Sequence, residues 1–303
     1  MQIATKNVCI MELWRYCAHM GTTEKQIGKE WQAIDLDHLS AAQLLQTTAS
    51  WIFKYLALSK QERRKMGVGE RAAIGSSVHT AVQAVLCHGQ DMNESIDAAI
   101  TAFDFHDADE DRVLREKFRT CIPAMIENGV EILAEANFAG SIDEERILLW
   151  LDGVNVPLLG FVDLVQPETM FCEMKTKAPR KTKVLKSGEQ GWSKASLPKK
   201  PEHNHLCQAA IYQKALNVTP SICYIAEHDC QMFTPFNCDE LKADSIADAL
   251  EDIRQKALIR QNLLRVSNDP KVLASITDPD WKHAFQWRME PEFLGKAKEL
   301  WNQ

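Results

Sequence analysis

Several things are scarce in this sequence, and each scarcity excludes a class of protein. Among its 303 residues no apolar run approaches the ~20 needed to cross a bilayer, which excludes a helical membrane protein. The first residues, Met1-Gln2-Ile3-Ala4-Thr5-Lys6, show no basic stretch leading into a long apolar segment and no small-residue cleavage site, so a secretory signal is not expected. There is no internal repeat and no low-complexity tract. A Gly-x-x-x-x-Gly-Lys-Ser/Thr loop is also missing, so any nucleotide-driven motor would have to be a separate protein. Clustered cysteines are missing too. The 9 cysteines, at positions 9, 17, 87, 121, 172, 207, 223, 230 and 238, are odd in number and scattered. Cys172, Cys207 and Cys223 lie in apolar stretches, where a free thiol behaves as a small buried hydrophobe. That usage predicts a reducing, cytoplasmic setting.

What is present is enough for a folded core. Hydrophobic residues make up 45% of the chain and charged residues 25%, which excludes global disorder and fits one large domain or two small ones. The net charge is −7, an apparent argument against nucleic acid, but the charges are segregated. From Lys175 to Lys200 there are 9 basic residues and a single acid, Glu189, whereas Asp91–Glu145 holds 15 acids and 4 bases. A chain so polarised can hold a polyanion on one surface while the rest repels it. A solvated charged loop is the plainer account of the basic run taken alone.

Along the chain, residues 1–38 read as an arm of unassigned role. Ser40 is placed to cap a helix that carries Leu44, Leu45, Trp51, Ile52, Tyr55 and Leu56 on its apolar stripe. Ile74 to Val78 predicts the start of a second helix, with His79 and Gln83 one turn apart beside its buried stripe. Residues 92–137 read as helical with an acidic exterior. The period then changes. Arg146–Leu151 is strand-like, Asp152-Gly153 is a hairpin signal, and further strands are expected over Leu158–Val165, Met170–Lys177 and Ile222–Ala226. Residues 178–205 read as a basic loop and Leu206–Leu216 as a helix. Leu241–Val266 and residues 279–303 form a helical extension. The order predicts an α/β fold: a mixed β-sheet core over 39–240, flanked by helices, with helical additions at 1–38 and 241–303.

One constellation carries chemistry. Glu173 and Lys175, two apart on a strand, share a face. Asp163 and Glu173 are symmetric about Glu168, the middle of the predicted turn, so a regular hairpin would set them opposite each other, Cβ atoms about 5 Å apart. Two carboxylates and an ammonium would then converge on an interior sheet, a costly group to bury unless a hard cation such as Mg²⁺ offsets the charge. A lone Glu-x-Lys arises about once by chance in a chain of this length. A cross-strand salt bridge is the plainer alternative. Gln208 and Tyr212 add a polar pair at i, i+4 on one helix face.

In these segments the chain resembles the PD-(D/E)XK nuclease superfamily, and within it the RecB-like exonuclease branch without the iron–sulfur cluster. Leu39-Ser40-Ala41 with Trp51, Phe53 and Tyr55 resembles that branch's opening segment. Gly75 to His79 is similar to its G-x-x-x-H motif, Gly160 to Asp163 to its G-x-x-D, Glu173-Met174-Lys175 to its (D/E)-x-K, and Gln208 to Tyr212 to its Q-x-x-x-Y. Five motifs in order over residues 39–235 are more specific than any one of them. The resemblance implies a restriction-endonuclease-like core and an Mg²⁺- or Mn²⁺-dependent deoxyribonuclease, foremost a stand-alone exonuclease of recombination or repair, as in viral systems. A structure-specific endonuclease and a non-catalytic nucleic-acid-binding scaffold are the alternatives. By position it implies His79, Asp163, Glu173 and the Met174 carbonyl as metal ligands, Lys175 on the attacking water, and Gln208 and Tyr212 supporting the site and contacting DNA. Glu144 or Glu145 matches a further acidic position.

Around that centre, Lys177, Arg180, Lys181, Lys183, Lys186 and Lys194 are expected to meet the DNA backbone and Trp192 to stack on an unpaired base. Expected partners are DNA, a single-strand annealing or other recombination protein, and a second copy of the chain; a membrane is not among them. Iron–sulfur members of the branch carry a cysteine in the opening helix, where this chain reads Gln46-Thr47-Thr48-Ala49-Ser50, and three closely spaced cysteines near the C-terminus. The spacing of Cys223, Cys230 and Cys238 is too wide, so no cluster is expected. Two zinc sets remain as minor alternatives: Cys223, His228, Cys230 and Cys238, without the usual spacing, and His203 with His205 beside Cys207.

Overall fold

A computed structural model describes residues 25–66, 69–105, 111–282, 287 and 289–302. Of the N-terminal arm, residues 1–24 lie outside the described residues, as do 106–110 of the acidic helical region and 283–286 of the tail. Seven strands are described: β1 Ile142–Leu149, β2 Leu158–Gln166, β3 Met170–Lys177, β4 Arg180–Lys181, β5 Trp192–Ser193, β6 Thr219–Ala226 and β7 Cys230–Phe233. The longer helices are α1 Glu70–His88, α2 Met92–Phe105, α3 Arg112–Glu135, α4 His203–Leu216, α5 Ala243–Val266 and α6 Pro291–Leu300. Shorter helices over Lys29–Gln32, Ala41–Leu44, Thr48–Ile52 and Lys60–Lys65 precede them.

The expected α/β fold is present: a mixed sheet of five strands in the order β1-β2-β3-β6-β7, flanked by helices. β1, β2 and β3 form an antiparallel meander, β6 pairs parallel to β3, and β7 returns antiparallel to β6. A parallel pair needs a crossover, and α4 supplies it between β3 and β6. The turn between β2 and β3 follows from its residues. Pro167 fixes φ at the second position, Glu168 takes φ 62° at the third, and the Thr169 N–H donates to the Gln166 carbonyl, the pattern of a type II turn.

Two apolar layers cover the sheet. On one side Ile147, Leu158, Val162, Phe171, Ile222 and Tyr224 pack with Leu206, Ala209 and Ile211 of α4 and Ile246, Ile253 and Ala257 of α5. On the other, Leu164, Cys172, Met174, Cys223 and Ile225 pack with α1, α2 and α3 through Ile74, Val78, Phe103, Phe118 and Met125. α5 is thus part of the same core as the sheet. Gly129 of α3 permits close docking on β6, since a Cβ there would lie 2.9 Å from Ile225 Cδ1. Among the described residues no helix is long and apolar enough to cross a membrane.

Several expectations are corrected. The Ser40 cap is present, with a reciprocal bond from Gln43, but the helix it opens ends at Leu44 and a second begins at Thr48. α1 starts at Glu70, so Gly75 lies inside the helix and does not lead it. Its role there is steric: a Cβ at Gly75 would sit 3.1 Å from Thr176 Oγ1 of β3. The first strand is Ile142–Leu149, displaced from Arg146–Leu151, because Leu151 turns into the core within the loop. Asp152-Gly153 belongs to that loop between paired Leu149 and Leu158, so it is not a two-residue hairpin. The basic segment 178–205 is not all loop: Arg180–Lys181 pairs with Trp192–Ser193 as a short ribbon, and α4 begins at His203. β7 has no counterpart in the sequence reading, since its alternation is brief and interrupted by polar residues.

β6 is buried along nearly its whole length, with Ile222 wholly inaccessible. Ile222→Ala should therefore cost about 2–5 kcal/mol in urea or thermal unfolding. Phe236→Ala, at a side chain 92% exposed, should stay within about 0.5 kcal/mol.

Candidate active site

The site is built around a fault in the sheet. The β2–β3 ladder is centred on Glu168 as expected, but it stops at Leu164↔Cys172, one pair before Asp163 and Glu173 would meet. The β1–β2 ladder has a gap at the same level, between Asp143↔Leu164 and Glu145↔Val162, where Glu144 takes φ 49°. The alternation of β2 slips there. Val162 joins the layer under α4 and α5, whereas Leu164, two residues on, joins the layer under α1 to α3. Other groups replace the lost ladder bonds. The Met174 N–H donates to Asp163 Oδ2 at 2.6 Å, and Gln83 Nε2 of α1 donates to the Asp163 carbonyl at 2.8 Å. The expected regular cross-strand pair is therefore absent, because Asp163 spends its carboxylate on the neighbouring strand's backbone.

From the α1 side, His79 Nδ1 stands 3.6 Å from Asp163 Oδ1. From the α4 side, a chain of hydrogen bonds begins at Glu173. Lys175 Nζ donates to Glu173 Oε1 at 2.5 Å and to Gln208 Oε1 at 3.0 Å. Gln208 Nε2 donates to the Tyr212 hydroxyl at 2.8 Å, which donates to the Phe161 carbonyl at 2.9 Å. Gly160 makes this possible. The Tyr212 ring lies across it so closely that a Cβ would sit 2.5 Å from Tyr212 Cε1. The glycine and the tyrosine, 52 positions apart, are thus one steric unit.

The electrostatics separate the two carboxylates. Burial raises Asp163, but His79, Lys175 and the Met174 N–H outweigh it and hold the carboxyl below its ordinary range. Burial, reinforced by the Asp163 charge, pushes Glu173 up to about 8 despite Lys175. Burial works against the Lys175 charge, yet Glu173 and Asp163 prevail and raise its pKa, so the ammonium persists at neutral pH. At this site two buried side-chain atoms, Glu173 Oε2 and His79 Nε2, have no hydrogen-bond partner; elsewhere among the described residues Trp51, Glu70, Arg260 and Trp281 carry such atoms too. Buried polar atoms without partners are rare, and at a cluster of carboxylates they point to a missing ligand. The donor set, carboxylate oxygens and a backbone carbonyl with one imidazole, is of the kind that suits Mg²⁺ or Mn²⁺. The ligand atoms of His79, Asp163 and Glu173 do not all approach within 4.8 Å of one another. Those of His203, Cys207 and Asp252 do, and no other such trio occurs among the described residues.

Beside Lys175 opens a cavity of about 550 Å³, lined by Ser40, Gln46, Phe161, His205, Gln208 and Tyr212 among others. From sequence alone His205 is no more than a zinc candidate; in the structure it lines this cavity beside Lys175 and Gln208. Its Nδ1 lies 2.7 Å from the Tyr224 hydroxyl, and burial, with the Lys175 charge nearby, brings its pKa down to about 4. Its place three residues before Gln208 on α4 was the available signal. Gln83, which the sequence already sets one turn after His79, enters the site through its bond to the Asp163 carbonyl.

The basic residues divide. Lys177 is paired with Glu202 and lies over the Tyr224 ring, and Lys181 is paired with Asp111. Arg180, Lys183, Lys186 and Lys194 are exposed, and Trp192 is half-buried on β5. Glu144 is exposed beside the fault, and Glu145 pairs with Val162. Cys223, His228, Cys230 and Cys238 do not form a metal-binding group, because Cys223 lies in the layer under α1 to α3 and Cys238 in the layer on the other side of the sheet.

No family model matches the chain, and no curated protein does. Two solved structures are similar in outline. One is a protein from Eubacterium rectale named a putative exonuclease, at TM-score 0.45 and 12% identity over 80% of this chain and 87% of that one. The other is named SSO0001, at TM-score 0.35 and 13% identity over 81% and 82%. At these values neither likeness bears on chemistry or substrate.

Two measurements probe the site. Gly160→Ala should force Tyr212 off Phe161, costing about 1–3 kcal/mol in unfolding experiments, and a Tyr212→Phe background should recover little of that, since the ring itself is obstructed. The second concerns pH. A folded-state pKa raised to about 8, above the ordinary 4.5 of glutamate, gives stability that is full below pH 4.5 and lost as pH rises through 8. In EDTA, Tm of the wild type should fall across that window relative to Glu173→Gln. Parallel curves would mean that Glu173 is not held protonated.

Proposed function

We propose that this chain is a metal-dependent nuclease acting on DNA, foremost an exonuclease. The observation that carries the reading is the meeting of Asp163, Glu173 and Lys175 at the sheet fault, with His79 delivered from one helical layer and Gln208 and Tyr212 from the other. A structural salt bridge would need neither the unpaired Glu173 Oε2 nor the interrupted ladder.

On this reading Asp163, Glu173, His79 and the Met174 carbonyl would hold Mg²⁺ or Mn²⁺. When bound, the cation polarises a phosphoryl oxygen and acidifies a water. The chain's own residues do the rest. Asp163 arrives already ionised, with Oδ2 held by the Met174 N–H and Oδ1 turned toward His79. Lys175 keeps its charge and can donate to a water or a phosphate oxygen, offsetting negative charge that builds during displacement. Gln208 limits the positions that the ammonium can take, and Tyr212 fixes Gln208. His205 remains neutral and does not compete with Lys175 for the anion. Exposed Arg180, Lys183, Lys186 and Lys194 lie on the segment that continues from β3, where a backbone leaving the site could meet them. The preference for DNA ends rests on the family resemblance.

The test uses end-labelled linear and covalently closed circular DNA with Mg²⁺ or Mn²⁺. Linear DNA should be degraded to short products while circles survive. Asp163→Asn, Glu173→Gln and Lys175→Ala should each lower the rate by at least about 100-fold while thermal unfolding stays cooperative. Rapid nicking of circles would make the enzyme an endonuclease. Near wild-type turnover in any of the three variants would remove the active-site assignment, and binding without cleavage under all conditions would favour the scaffold.

A further inference from the structure

Away from these residues, the first turn of α4 and the middle of α5 bring together an imidazole, a thiol and a carboxylate. His203 and Cys207, four apart on α4, share a face, and Asp252 of α5 completes the group. His203 Nε2 is 2.9 Å from Asp252 Oδ2, Cys207 Sγ is 3.5 Å from His203 Nε2, and Cys207 Sγ is 3.9 Å from Asp252 Oδ2. Around a tetrahedral zinc ion, with bonds of about 2.0 Å to N and O and 2.3 Å to S, ligand atoms stand roughly 3.3–3.6 Å apart. The Cys207–His203 edge, 3.5 Å, lies in that range; the His203–Asp252 edge is shorter at 2.9 Å and the Cys207–Asp252 edge longer at 3.9 Å, so small side-chain shifts would close the group around one ion. We infer that His203, Cys207 and Asp252 form a site for one zinc-class divalent cation, with a fourth position open to solvent, that staples α4 to α5.

The chemistry separates this site from the catalytic candidate. A mixed nitrogen, sulfur and oxygen set selects zinc-class ions and rejects Mg²⁺, whereas the set at the sheet fault is of hard donors with one imidazole. A role as a reactive cysteine is disfavoured, because burial, aided by the Asp252 charge, pushes the Cys207 thiol up to about 11. As metal binds, the thiol proton passes to solvent and the thiolate remains on the ion. His203 is largely exposed and Asp252 half-exposed, so an entry path exists, while Cys207 is buried beneath them. Lys256 Nζ also donates to Asp252 Oδ2, at 2.5 Å; its side chain reaches solvent and can swing aside as the cation takes that oxygen. The residue after Cys207 is Gln208, so the staple would fix the helix that holds Lys175 in place.

The experiment is a titration of the whole chain with Co²⁺, followed in the near ultraviolet, where thiolate ligation gives a charge-transfer band, and in the visible. One equivalent should saturate the band, and millimolar Mg²⁺ should leave it unchanged. Cys207→Ser should abolish it, and His203→Ala and Asp252→Asn should each weaken Co²⁺ binding at least about tenfold. Zn²⁺ should raise Tm more in the wild type than in Asp252→Asn, a substitution at a half-exposed position that leaves Cys207 in place. No near-ultraviolet band, a band that persists in Cys207→Ser, or displacement by Mg²⁺ would overturn the site. The outcome is independent of DNA cleavage, because the site shares no residue with Asp163, Glu173 or Lys175.

Discussion

The hydrogen bond from the Met174 N–H to the Asp163 carboxylate is the contact on which the rest of the site depends. In an uninterrupted sheet that N–H would go to a backbone carbonyl, and Asp163 would be one more side chain on a regular face. Here the ladder is cut, and each severed backbone group must find a partner or carry a desolvation cost of about 1–3 kcal/mol. The Asp163 carboxylate satisfies one strand and the Gln83 amide another. Asp163 can therefore be ionised, immobile and turned toward α1, although it belongs to an interior strand.

The slip in alternation has a wider effect. Because Val162 and Leu164 enter opposite layers, the fault is where the two cores meet through the sheet. His79 and Gln83 reach it from one layer, and Gln208 and Tyr212 from the other. Neither layer alone assembles the group, so its geometry depends on both α1 and α4 being docked. Gly75 against Thr176 and Gly160 against Tyr212 are the two places where bare backbone lets those helices approach closely enough.

Much of this was legible in the sequence, and the reasons are specific. The mirror relation of Asp163 and Glu173 about Glu168 located the turn, because Pro167 restricts the backbone and alternation fixed the strands on either side. Glu173 and Lys175 share a face simply because side chains on a strand alternate. The fault itself was not legible: a pattern of alternation predicts a continuous ladder, and Leu-Val around Asp163 is apolar in either phase. Gly75 reads as a helix start because glycine is a local breaker when only neighbours along the chain are considered, whereas its reason here is a threonine a hundred residues away. His205 and Asp252 were missed in their present roles for the same reason, since the crossover that brings α4 onto β3 and α5 leaves no trace in local periodicity.

Charge balance explains how such a group can exist in the free protein. Two carboxylates and one ammonium in a buried place would leave an uncompensated negative charge, which a low-dielectric interior strongly disfavours. The pKa values resolve this by separating the acids: Asp163, bonded to the backbone and facing His79, stays ionised, while Glu173 is raised to about 8 and retains a proton near neutrality. That proton balances the centre. On the nuclease reading a cation would take over the same electrostatic role, with Glu173 ionising as it binds, so that metal affinity and the Glu173 proton are linked. The nearby basic residues follow the same economy. Lys177 and Lys181 are each paired with an acid of the chain, and exposed pairs of this kind are typically worth under about 1 kcal/mol. On the nuclease reading a phosphate backbone would displace Glu202 and Asp111 from these lysines, while Lys183, Lys186 and Lys194 are already turned to solvent.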